Sequence, residues 1–148
     1  MINDQIYDLA VKSRLWGQNV VTKHHGTKLS KIRGWDENLT NLCVSCSTML
    51  AFLMSKRGYK CFDIVDSGSH SFVLYKKCVI DVTATQFGDY DKVLIKPYTE
   101  LKGTSLMWSE GGSNPKIEIE PWGSSIDKLS FNSAKNLNNM MKMHVNNI

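Results

Sequence analysis

The sequence predicts an α+β fold in which N-terminal helices pack on a mainly antiparallel β-sheet and a further helix closes the chain. Three observations carry the prediction. Two helix-period segments, the second from about Asn41 to Gly58, come before any strand pattern. Short runs rich in β-branched and aromatic residues then succeed one another with gaps of turn length. A last helical period spans about 132 to 145. With 148 residues, 42% of them hydrophobic, the chain has the apolar material for one core, so residues 1–148 read as a single domain.

The first helix is expected over residues 2 to 16. Ile2, Ile6, Leu9, Ala10 and Leu15 or Trp16 recur at near-helical spacing, and Asn3 or Asp4 supplies a cap. From Gly17 to Asn38 scattered Gly, Lys and His residues with Trp35 show no sustained period, which predicts a long irregular connection of the kind that often carries function. His24 and His25 in it read as solvated loop residues. The central helix follows, with Thr40 and Asn41 as N-cap types, Lys56 and Arg57 suited to the C-terminal dipole, and Gly58 after the last turn.

Met49, Leu50, Leu53 and Met54 form one apolar stripe on this helix, and Cys46 projects near its middle. Cys43 falls toward the edge of the stripe and in the first turn. Unpaired backbone N–H groups and the positive dipole end there favour negative charge, on sulfur or on an oxyanion. Cys46 therefore reads as core and Cys43 as the reactive thiol; the alternative is that both are small buried hydrophobes.

Strands are expected over Tyr59 to Val65, Ser69 to Tyr75 and Cys78 to Thr83, with turns at Asp66-Ser-Gly-Ser69 and Lys76-Lys77. Two more are expected over Lys92 to Lys96 and Lys116 to Glu120. Ala134, Leu137, Met140, Met141 and Met143 set the period of the C-terminal helix, where methionines suit core or docking surface.

A net charge of +4, from 18 basic and 14 acidic residues spread along the chain, gives no basic stripe interleaved with aromatics, so no nucleic-acid partner is expected. There is no basic segment leading into an apolar run and no apolar stretch of membrane-spanning length. Cys43, Cys46, Cys61 and Cys78 are then expected to be reduced thiols in a cytoplasmic protein with no membrane partner.

A nucleophilic cysteine needs a base and a group that orients the base. If the two middle strands form a hairpin with an even loop, Tyr75 pairs with Cys78, Phe72 with Asp81 and His70 with Thr83. His70 and Asp81 then share a face in diagonal positions about 7–8 Å apart at the backbone, within side-chain reach. An odd loop would put them on opposite faces. A carboxylate on one imidazole nitrogen holds the tautomer and leaves the other nitrogen for Cys43. The plainer reading makes His70 a satisfied core histidine and Asp81 a strand-end carboxylate.

These residues resemble a known pattern. Cys43 leading a helix that ends at Gly58-Tyr59, then His70-Ser-Phe-Val73, then Ile80-Asp-Val-Thr83, is similar to the papain-like and transglutaminase-like superfamily of Cys-His-Asp thiol enzymes. Ser-Phe stands where that superfamily commonly has Ala-Trp, and Val82 where proline is frequent. Papain-like bacterial or phage toxin and effector domains also show elements that correspond to Asn41, Cys43, Cys46 and Gln86-Phe87. The resemblance implies a papain-like/transglutaminase-like core with Cys43 as nucleophile, His70 as general base and acid, and Asp81 as orienting carboxylate.

For the oxyanion hole the chain offers Asn38, Asn41 and Trp35 as side chains, and the backbone N–H of Cys43. The implied activity is acyl transfer from a protein or peptide amide through a thioester, as proteolysis, glutamine deamidation or transglutamination, with no metal and no cofactor. Two rivals belong to other classes. One is a zinc or redox module on Cys43-x-x-Cys46 with Cys61 and Cys78, whose second pair lacks knuckle spacing. The other is an inert binding or inhibitor protein on the same scaffold.

Overall fold

Asn3 starts the first helix, α1 (Asp4–Lys23), by accepting the Ile6 amide at 3.0 Å. In the computed structural model, which describes residues 2–66, 70–101, 104 and 118–121, α1 runs well past Trp16, where it was expected to end. Gly17 explains the difference. A Cβ there would come 2.8 Å from both Cys46 Sγ and Leu39 Cδ1, so this glycine permits a close helix crossing and does not mark a turn. A second helix, α2 (Lys28–Arg33), is capped by Thr27 Oγ1 on the Ser30 amide at 3.1 Å and stopped by Gly34 at φ 66°. The expected irregular connection from Gly17 to Asn38 is therefore largely helical, because tertiary contact on α1 and a short capped turn of helix leave no sustained period to read.

The central helix, α3 (Cys43–Lys56), begins later than its expected caps. Asn41 has a left-handed backbone, φ 62°, and its Nδ2 donates to the Arg33 carbonyl at 2.7 Å; Thr40 Oγ1 donates to Asp36 at 2.8 Å. Leu42 occupies the N-cap, and no side chain bonds to the first-turn amides. The C-terminal end is as expected, with Gly58 at φ 87° just beyond Arg57. Met49, Leu50, Leu53, Met54 and Cys46 are all buried on the face that meets α1 and the sheet.

Among the described residues five strands, β1 (Phe62–Asp66), β2 (Ser71–Tyr75), β3 (Cys78–Asp81), β4 (Leu94–Pro97) and β5 (Glu118–Pro121), make one antiparallel sheet in the order β4-β3-β2-β1-β5. Lys76 and Lys77 both take positive φ, 49° and 64°, and close a two-residue hairpin in the register Tyr75↔Cys78, Leu74↔Val79, Val73↔Ile80. β1 starts after the expected Tyr59, since Tyr59 N still bonds to Met54 O and Cys61 turns the chain at φ 60°. Cys61 is thus exposed in a turn and not in a strand.

A 3₁₀ turn (Ala84–Phe87) and a short helix, α4 (Tyr98–Leu101), were not expected from the sequence, and β3 gives way to the 3₁₀ turn where the strand had been expected to continue to Thr83. The expected turn residues 67–69 and the expected helix over 132–145 lie outside the described residues. One face of the sheet carries α1 and α3 over Ile64, Val73 and Ile80; the other buries Val65, Phe72, Val79, Leu94 and Leu101. Among the described residues no helix is long and apolar enough to cross a membrane.

Candidate active site

The first turns of α3 are tied to the start of β2 by Ser47 Oγ, which donates to the Ser71 carbonyl at 3.0 Å. His70 stands immediately before that carbonyl's residue, so the same anchor brings the helix N-terminus beside the histidine. The hairpin register, carried one pair further, sets Asp81 opposite Phe72 and diagonal to His70. His70 Nε2 meets Asp81 Oδ2 at 2.5 Å, and each residue is only 1% exposed. The other carboxylate oxygen accepts the Thr83 amide at 2.8 Å and faces Thr83 Oγ1 at 3.4 Å, which fixes Asp81 from behind. Phe87 closes over the imidazole edge-on with ring centroids 4.5 Å apart, and Phe72 lies at 6.0 Å.

Cys43, partly exposed in the first turn of α3, lies close enough to the His70 ring to raise its pKa. Burial alone would push the His70 pKa down. The hydrogen bond and charge of Asp81, joined by the contact with Cys43, outweigh it and raise the imidazole to about 9. The ring is therefore cationic at neutral pH and sits between an acid that orients it and a thiol.

Cys46, one turn along, has the opposite fate. It is fully buried, and burial pushes its thiol far above the ordinary range, with the charge of Arg14 a smaller opposing influence. The two cysteines of one helix thus face a histidine and the core respectively.

The side chains expected to serve an oxyanion lie elsewhere. The Asn41 amide is committed to Arg33 O. Trp35 and Asn38 line a cavity of about 860 Å³ between α1 and the loop after α2, and none of Cys43, His70 and Asp81 lines it. His25 is on the same wall, while the His24 ring leans on Trp35 at 5.6 Å. Asn41 does touch the neighbourhood through its backbone, whose N–H donates to Gln86 Oε1 at 3.4 Å.

Arg14 was missed by sequence reasoning. It is 4% exposed, and Nη1 donates to Val82 O at 3.0 Å and Thr85 Oγ1 at 2.9 Å while Nη2 donates to Glu37 O at 3.3 Å. It thereby buttresses the chain just after Asp81. The available signal was its place, one turn after Ala10, next to Ser13 and one turn before Gly17, on the buried face of α1.

All four cysteines are free, and among the described residues no group of three or more His, Cys, Asp or Glu side chains is placed to hold a metal ion. Compared with known proteins, the chain matches no family model, no curated protein and no solved structure, so the reading of this site rests on its own geometry.

Proposed function

We propose that the chain is a cysteine-dependent acyl-transfer enzyme of papain-like or transglutaminase-like type, acting in the cytoplasm on a protein or peptide amide. The observation that carries the reading is the buried His70–Asp81 pair with the Cys43 sulfur against the same imidazole at the start of a helix. A carboxylate that holds one ring nitrogen fixes the tautomer, and a cationic ring beside the sulfur supports its anionic, nucleophilic form.

The thiolate attacks the amide carbonyl, and the C–O bond electrons collect on oxygen. First-turn N–H groups of α3, which no side chain caps, stabilise that oxyanion, foremost the Cys43 N–H. His70 then gives its proton to the departing nitrogen, the C–N bond breaks, and a thioester on Cys43 remains. A water or an amine, deprotonated by the now neutral His70, attacks the thioester and releases the thiolate. Ammonia leaves from a glutamine side chain, an amine from a peptide bond; the residues of the site are the same for either. The test is mass spectrometry of a defined protein mixture incubated with the unmodified chain and with Cys43→Ala. Cleavage, amide-to-acid conversion or cross-linking that depends on Cys43 supports the reading, and identical mixtures in both arms favour an inert scaffold.

A further inference from the structure

The cavity of about 860 Å³ beside α1 has a chemistry of its own. Arg14 lies on its wall, only 4% exposed, and its Nη1 and Nη2 groups donate only to neutral acceptors, Val82 O, Thr85 Oγ1 and Glu37 O. Its Nε–H has no acceptor, and among the described residues no carboxylate forms an ion pair with it. Burial pulls the guanidinium pKa down, and the opposing attraction of Asp81 is weaker. Trp35, on the facing wall, likewise has a buried Nε1–H without an acceptor. A buried donor left unpaired costs about 1–3 kcal/mol, and a buried charge without a counter-ion costs more. Both residues line the one cavity with these donors sealed just behind its wall, where an acceptor oxygen carrying negative charge would satisfy them.

We propose that this cavity is a binding site for a small organic carboxylate with a flat apolar body. The carboxylate oxygens take the Arg14 and Trp35 N–H groups after a small rotation of either side chain, and Lys92, also on the lining, adds positive charge. The apolar body lies along the Trp35 ring and Val21. The acidic groups of the wall limit the charge of the guest. Asp36, which accepts from the Asn38 and Thr40 amides and Thr40 Oγ1, and Glu37 both line the cavity with negative charge, which favours a monoanion over a polyanion such as phosphate. The site is separate from the cysteine and does not depend on acyl transfer.

The test is a ¹H–¹⁵N titration of the full chain that follows the Trp35 Nε1–H and Arg14 Nε–H resonances. Benzoate represents a free acid, N-acetylphenylalanine a peptide C-terminus, and benzamide a neutral isostere; inorganic phosphate is the polyanion. Saturable shifts of both resonances with benzoate or N-acetylphenylalanine are expected, with benzamide and phosphate at least tenfold weaker; the tighter of the two acids names the source. Trp35→Phe, which keeps an aromatic ring and removes the N–H, should weaken binding several-fold, and Lys92→Ala by less, with both variants still unfolding cooperatively in urea. Cys43→Ala should bind as the unmodified chain does. Absence of saturation with either acid, equal binding of benzamide, or an unchanged Trp35→Phe affinity overturns the proposal.

Discussion

Asp81→Asn keeps the shape of the side chain and an acceptor for the Thr83 amide but removes the charge beside His70. In the folded protein His70 titrates at about 9, against 6.5 for an exposed imidazole. A difference of that size corresponds to about 3 kcal/mol of stability. Because the folded value is the higher one, the contribution is fully present below pH 6.5 and is lost as pH rises through about 9. With Asn at position 81 the main upward influence is gone, burial pushes the ring down, and the contribution vanishes. Urea unfolding followed by tryptophan fluorescence at pH 6 and pH 9.5 should show the unmodified protein losing about 3 kcal/mol more than Asp81→Asn over this interval. Comparing the two proteins cancels the other groups that titrate there. The His70 Cε1–H resonance should titrate near 9 in the unmodified chain and below 6.5 in the variant. Equal pH dependence of stability in both, with His70 titrating at an ordinary value in each, would refute the argument.

Gly17→Ala should destabilise by about 1–3 kcal/mol in urea unfolding, since its methyl meets Cys46 Sγ and Leu39 Cδ1 at 2.8 Å and both are packed in the core. The hairpin turn should respond in the opposite sense. Replacing Lys76 by Asn and Lys77 by Gly relieves two positive-φ lysines and should raise the midpoint by an amount matching about 1 kcal/mol, provided the turn is the two-residue form seen here. Treatment with a chelator should leave the unfolding midpoint unchanged, whereas a midpoint that falls with stoichiometric loss of zinc would favour a metal module.

The central helix was legible because its signals are local: an apolar stripe, basic residues in the last turn and Gly58 beyond it. Its start was misplaced because Thr40 and Asn41 spend their side chains on Asp36 and Arg33 instead of on α3. The hairpin register was readable once the loop length was assumed, and the alternation of Val73 and Ile80 against Phe72 and Val79 then follows from the pleat. Gly17 and Arg14 misled for a shared reason. A glycine inside a helix and an arginine on its buried face make sense only through partners distant in sequence, Cys46 for one and Val82 and Thr85 for the other. Trp35 and Asn38 were grouped with the oxyanion by nearness in sequence to Cys43, but the left-handed turn at Leu39 and Asn41 carries them to a different cavity.

The proposed chemistry stands or falls on the pairing of Cys43 with His70, and the pH profile of iodoacetamide labelling at each cysteine measures it most directly. A ring that stays cationic up to about pH 9 supports a reactive sulfur across the whole neutral range, so Cys43 should label rapidly well below pH 7 while Cys46, fully buried, does not. His70→Ala should slow Cys43 labelling across the neutral range, because the cation beside the sulfur is gone. If Cys43 in the unmodified protein labels no faster than the exposed Cys61, or if His70→Ala leaves its labelling rate unchanged, the pair is not a catalytic one and the fold serves as a binding scaffold.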